Sequence, residues 1–151
     1  MSRIPVVFLL LVVCLLPACF LAKEYKQASF AYTTNGQSAS MPLIVPKGYV
    51  KEERIDTAGV TMHLFRYANG AFLYAAYVPD TTAQLQAINK SLHQPVGGPR
   101  GGLVYKGIDE NELFYREIRR GALRFGYRNV PESVELRFDS ATNFAARQGS
   151  R

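Results

Sequence analysis

The sequence predicts an α+β fold: an antiparallel β-sheet of five to six strands with a C-terminal α-helix packed on one face, behind an apolar N-terminal signal segment. Three observations carry this expectation. Two runs rich in Val, Phe, Tyr and Leu, Val60–Val78 and Glu112–Val130, each fold back at a glycine-containing turn. The segment Pro131–Arg147 repeats apolar residues at helical spacing. The only long apolar run, Ile4–Ala22, carries no charge, stands at the N-terminus and ends close to a cysteine.

That N-terminal run has the anatomy of an export signal. Arg3 and the amino terminus are positive, Ile4–Leu16 is apolar, and Pro17-Ala18-Cys19 follows. Leu16, Ala18 and Cys19 resemble the lipobox of bacterial lipoproteins, in which the chain is cut before the cysteine and its thiol is acylated. Pro17 departs from that pattern, which prefers Ala, Ser, Thr or Val there. The resemblance makes Cys19 the lipid-attachment residue. Two or three acyl chains then hold the protein at the bilayer, since each buried methylene contributes about 0.8 kcal/mol and one chain alone is marginal. A plain secretory signal and an uncleaved anchor are the alternatives, since an uncharged run of this length can span a bilayer. Phe20, after Cys19, is not the aspartate that retains lipoproteins at the inner membrane, so the resemblance implies an outer-membrane address facing the periplasm.

Residues 1–18 are therefore read as signal, 19–40 as a tether with a first strand, 41–147 as one domain and 148–151 as a frayed tail. Gln27–Thr34 has strand composition, and Asn35–Ser40 reads as a turn. Pro42 and Pro46 bracket a short extended piece, Lys47-Gly48 is a turn, and Tyr49–Asp56 is a strand. In Val60–Val78 a type I′ turn at Asn69-Gly70 would set Tyr67 against Phe72 and Phe65 against Tyr74. Both faces of that hairpin are apolar, so it belongs in the middle of the sheet. Asp80–Gln94 has helical spacing at Leu85, Ile88 and Leu92. Pro95–Gly102 is a loop, and the strand-like Leu103–Ile108 after it argues against a phosphate cradle around Arg100. In the second hairpin a turn at Arg120-Gly121 pairs Ile118 with Leu123 and leaves Glu117, Arg119, Arg124 and Arg128 on a solvated face. Pro131, Glu132 and Glu135 suit a helix start, and Val134, Phe138, Ala141 and Ala145 form its apolar stripe.

Composition narrows the function classes. Cys14 and Cys19 are the only cysteines, so the region after the signal holds no disulfide, thiolate zinc site or thiol nucleophile. The net charge of +6 is dispersed among acidic residues rather than blocked, which argues against nucleic acid and fits weak attraction to anionic lipid or glycan. His63 and His93 are thirty residues apart without ligand-spaced partners, so no metal or cofactor is expected. There is no Gly-x-Ser-x-Gly elbow, and Glu110 and Glu112 form an unremarkable loop pair. No catalytic residue is assigned. Arg119, Arg124 and Arg128 share a strand face and are the candidate anion- or partner-binding residues, because guanidinium binds carboxylate and phosphate in bidentate fashion. Arg116, among Phe114, Ile118 and Phe125, must reach an internal carboxylate or lie at a sheet edge.

The stretch Phe114–Ala141, with Tyr115-Arg116-Glu117-Ile118 leading to Gly126-Tyr127, Asn129-Val130-Pro131 and a helix, resembles the C-terminal part of small lipoproteins common in Bacteroidota-type bacteria. The resemblance implies the strand–strand–helix order and a lipobox, and it transfers no functional residues. The expected function is a lipid-anchored, non-enzymatic envelope module that binds an envelope protein or an anionic glycan or lipid. A small periplasmic hydrolase and an inhibitor or immunity-like lipoprotein are the alternatives.

Overall fold

A computed structural model of the chain describes residues 24–57, 59–86 and 95–148. Cys19, His93 and most of the helix expected over Asp80–Gln94 lie outside them. The fold is antiparallel β with one C-terminal helix, as the sequence predicts. The strands divide into a two-stranded and a seven-stranded sheet.

The chain opens with a long hairpin, β1 (Tyr25–Thr34) and β2 (Gln37–Pro46). Its two-residue turn is Asn35-Gly36, both at positive φ (50° and 73°), the type I′ geometry that matches strand twist. Gln37–Ser40, expected in the turn, instead begin β2. Both prolines of β2 are tolerated because each strand of a two-stranded sheet is an edge.

The large sheet has the order β3 (Tyr49–Thr57), β4 (Val60–Tyr67), β5 (Phe72–Tyr77), β9 (Leu123–Val130), β8 (Phe114–Arg120), β7 (Leu103–Ile108) and β6 (Val96–Gly97). β6 lies within the expected Pro95–Gly102 loop, whose remainder includes a single 3-10 turn at Pro99–Gly101. The β4–β5 connection is not the expected two-residue turn. Asn69 keeps negative φ, Gly70 takes φ 83°, and Tyr67 pairs with Ala71 through a 2.9 Å N–H···O bond. The loop therefore has three residues, and the register moves by one: Phe65 faces Leu73, and Leu64 faces Tyr74. A one-residue slip exchanges the faces of one strand relative to its partner. Phe65, Leu73 and Ala75 thus enter the main core, while Leu64, Tyr74 and Ala76 form a second cluster on the opposite face. In the β8–β9 hairpin the turn lies at Gly121-Ala122, so Ile118 pairs with Phe125 rather than Leu123. That two-residue shift preserves the faces.

One face of the large sheet is covered by the β1–β2 hairpin and, beside it, by α1 (Glu132–Gln148). Phe30, Met41, Leu43 and Val45 from the hairpin and Phe138, Ala141 and Ala145 from α1 meet Phe65, Phe125, Tyr127 and Ile118 from the sheet. Burying each large side chain stabilises the fold by about 1.5–3 kcal/mol. The first strand expected within residues 19–40 is thus β1, and its hairpin is part of the core. The opposite face is covered by the chain after β5. Its described part, Asp80–Gln86, forms turns rather than the first two turns of a helix. Asp80 caps the turn through the Thr82 amide and hydroxyl, at 2.9 and 2.6 Å, a local alternative that competes with helix formation. Ala83 and Leu85 then pack on the second cluster.

Candidate functional site

The helix is fastened to the sheet by a charged hub. Asp139 accepts from the Tyr127 hydroxyl at 2.7 Å and pairs with Arg116 at 3.1 Å and Lys106 at 2.8 Å. Arg116 also reaches Thr142 and Asn143, and Arg120 donates to the Ala146 carbonyl. Arg116 thus takes the internal carboxylate expected of it, and its role is to hold α1.

Arg119, Arg124 and Arg128 do share the other face, but that face is not solvated. Glu117 is 0% exposed and Arg124 1%. Glu117 accepts from Arg119 Nε at 2.6 Å and from the Tyr74 hydroxyl. Gln86 reaches across the sheet to the Tyr74 hydroxyl and the Arg116 carbonyl, at 2.9 and 3.0 Å. Arg124 turns to backbone carbonyls, including that of Thr81 at 3.0 Å. Burial, then the charge of Arg119, lowers its pKa from the usual guanidinium range. Arg119 also stacks on Tyr105, and Arg128 lies over Tyr115. The cluster is a latch holding the segment 79–86 on the sheet. Its chemistry is structural: the carboxylate is taken by Arg119 and Tyr74 and Arg124 by backbone carbonyls, with Arg119 Nη2 and Arg124 Nε left buried without a partner among the described residues. Only the surrounding strand order explains the burial, so sequence alternation alone could not find it.

His63 is also buried. Its Nδ1 faces the Ser29 carbonyl at 3.2 Å and its Nε2 faces Glu52 at 2.7 Å. The ring joins β1, β3 and β4 as a structural brace, with both nitrogens occupied. Among the described residues no three His, Cys, Asp or Glu side chains gather to hold a metal ion. Nor is any described helix long and apolar enough to cross a membrane. Glu110 and Glu112 lie in the β7–β8 loop, where Asp109 organises the turn through the amides of Asn111 and Leu113.

A groove of about 280 Å³ lies at the end of the molecule where β1 begins. Its walls are the β2–β3 turn (Pro46, Lys47, Gly48), the β4–β5 turn (Tyr67, Ala68, Asn69) and α1 (Val134, Arg137, Phe138). Tyr67 donates to the Pro46 carbonyl at 2.7 Å, and its ring packs on Phe138. Burial pushes the Tyr67 hydroxyl well above its ordinary pKa, so it stays neutral. Glu24 is tied to this end by Arg137 at 2.9 Å and by its carbonyl to the Lys47 amide. Exposed Lys26 sits over the Tyr49 ring. The row Lys51–Arg66–Phe72–Arg128 crosses β3, β4, β5 and β9 near the same end, with Glu53 between Lys51 and Arg66. No motif announced this groove, because three segments far apart in sequence build it. Comparison with protein-family models, curated proteins and solved structures gives no match for the chain.

Proposed function

We propose that the chain is an exported envelope protein anchored by acyl chains on Cys19, and that its domain is a binding module rather than an enzyme. The observation that carries this reading is the sequence Leu16-Pro17-Ala18-Cys19 behind a charged n-region and thirteen apolar residues. A folded domain follows with little intervening chain. β1 begins at Tyr25, six residues after Cys19, and Phe30 is already in the core. The anchor and the fold are thus joined by a short link. The titratable clusters of the described domain have structural partners. Asp139 serves the helix, Glu117 the latch and His63 the hairpin. The open groove is lined by Tyr67, Phe138, Val134 and cations, which suits contact with an anionic amphiphile or an envelope protein. The address is the outer membrane, facing the periplasm.

The test is Cys19→Ser, followed by palmitate labelling and membrane fractionation in the native host. The expected result is loss of label together with loss of cleavage before position 19, so that the variant migrates as a larger, unlabelled chain that keeps its apolar segment. Label unchanged, or retention of an uncut chain in the pellet by the wild type, would sink the proposal.

A further inference from the structure

We infer that the groove end of the domain seats on an anionic phospholipid surface, so that the domain has a fixed membrane-facing side; this rests on the lipid-anchor reading above. The first argument is reach. From Cys19 to Glu24 there are five residues, which span at most about 18 Å when fully extended. Glu24 and Tyr25 are held at the groove end, through Arg137 and through the pairing of Tyr25 with Pro46. β1 then runs ten residues away from that end, about 30 Å. An acylated Cys19 therefore keeps the groove within about two Debye lengths of the headgroups. The Asn35-Gly36 turn stays far from them.

The second argument is charge. Lys26, Lys47 and Arg137 stand around the exit of the chain, with Glu24 bound to Arg137 and Glu52 near Lys26 as the carboxylates among them. Lys51, Arg66 and Arg128 continue the basic character along the sheet end, with Glu53 interposed. The acidic β7–β8 loop, Asp109–Glu112, lies at the same end but beyond β9 and β8. Cations outnumber carboxylates at β3–β5, where Glu52, Glu53 and, at the start of α1, Glu132 are interspersed, whereas β7 is acidic, and an anionic surface selects the half with the cationic excess. Each cation close to such a surface adds several-fold to the binding constant.

The third argument is the groove itself. Phe138, Tyr67 and Val134 offer apolar walls between the cations, and Val50 is left 67% exposed by the bulge beside the β2–β3 turn. Aromatic rings with a polar tip and long cationic side chains partition to the headgroup level.

The experiment uses the acylated protein purified from membranes and reconstituted into phosphatidylcholine vesicles, with or without 30 mol% phosphatidylglycerol (roughly a third anionic). An environment-sensitive maleimide probe is placed at Ala68→Cys in the groove or at Gln37→Cys at the far end. Acylation consumes the Cys19 thiol, so the protein without an added cysteine must not label; labelling there overturns the anchor reading itself. With that control passed, lipid-borne quenchers are expected to quench the Ala68→Cys probe several-fold more than the Gln37→Cys probe. Phosphatidylglycerol should increase that difference, and Lys26→Glu with Lys47→Glu should abolish the increase. Equal quenching at the two positions overturns the seating while leaving the anchor intact. So does quenching indifferent to the charge reversal, or protection of Ala68→Cys by a second copy of the chain in detergent.

Discussion

Glu117→Gln tests the latch most directly. The wild-type carboxylate is fully buried, Arg119 is 11% exposed, and they meet at 2.6 Å. With roughly 4 Å between charge centres and an effective dielectric near 20, the pair is worth about 4 kcal/mol of Coulomb energy. Burial on both sides leaves little solvent screening to discount. Neutralising Glu117 leaves Arg119 and Arg124, cross-strand neighbours in β8 and β9, without their carboxylate. Removing one partner of such a pair costs about 3–5 kcal/mol. For a domain of this size that lowers Tm by about 10–20 °C. Urea and thermal denaturation followed by far-UV circular dichroism measure it. The double variant Glu117→Gln/Arg119→Gln should recover part of the loss, with a coupling above about 1.5 kcal/mol. Amide exchange at Thr81–Gln86 should accelerate as the segment loosens. A Tm within about 3 °C of wild type, with an unchanged denaturant slope, refutes the reasoning.

Two further outcomes follow from the same packing. Gly126→Ala would place a Cβ 2.5 Å from Tyr74 Cζ and 2.6 Å from the Arg116 carbonyl oxygen, inside a buried strand. It should cost about 3 kcal/mol or prevent folding, against about 1 kcal/mol for Gly70→Ala, where φ 83° is strained but space is open. Chemical denaturation ranks the two, and the reverse order contradicts the packing. Stability should also fall steeply above pH 10. Burial pushes the Tyr67, Tyr74 and Tyr127 hydroxyls up; Glu117 adds to the shift at Tyr74, and Asp139 at Tyr127. The unfolded chain releases these protons near pH 10 while the folded chain keeps them. The stabilisation is therefore complete below pH 10 and is lost as pH rises, by up to about 1.4 kcal/mol per unit per tyrosine. Tyr115 is pushed up by burial as well, so urea titrations at pH 9, 10 and 11 measure a slope that Tyr67→Phe should flatten by about a quarter to a third; an unchanged slope in that variant contradicts the assignment.

The C-terminal half was the most legible part of the chain. Strand, glycine turn, strand, proline and helix follow one another with consistent local signals from Phe114 to Gln148, and α1 begins one residue after Pro131. The two Asn-Gly pairs were less transparent. Asn35-Gly36 forms the type I′ turn, whereas Asn69-Gly70 lies in a three-residue loop. The dipeptide permits either geometry; which one forms depends on which register buries the flanking strands. With a three-residue loop, Phe65, Leu73 and Ala75 reach the hairpin and Leu64 and Tyr74 reach the segment 79–86. Both faces are apolar, so pattern alone could not choose. Asp80–Gln86 misled differently. Leu85 is apolar because it covers the sheet, not because it belongs to a helical stripe.

The arginines carry the sharper lesson about function. A row of alternating charges on a hairpin reads as a solvated face, and that reading holds only if the hairpin is at an edge or covers a core from outside. Here β9 is the central strand of seven and β8 is its neighbour, and the face is crossed by the segment 79–86 that follows β5. Once covered, Glu117, Arg119 and Arg124 turn to one another or to the backbone, through hydrogen bonds to Tyr74, Gly121, Leu123 and Thr81, while Arg119 Nη2 and Arg124 Nε stay buried without a partner among the described residues. A ligand reaching Arg124 would first have to displace the Thr81 segment and break those bonds, a cost no weak surface anion can offset. Arg128 lies over the Tyr115 ring, outside the latch, in the cross-strand row with Lys51 and Arg66. The three arginines that sequence grouped together therefore separate by environment. Two hold the fold, and the third belongs with the groove end, where the chain leads toward Cys19.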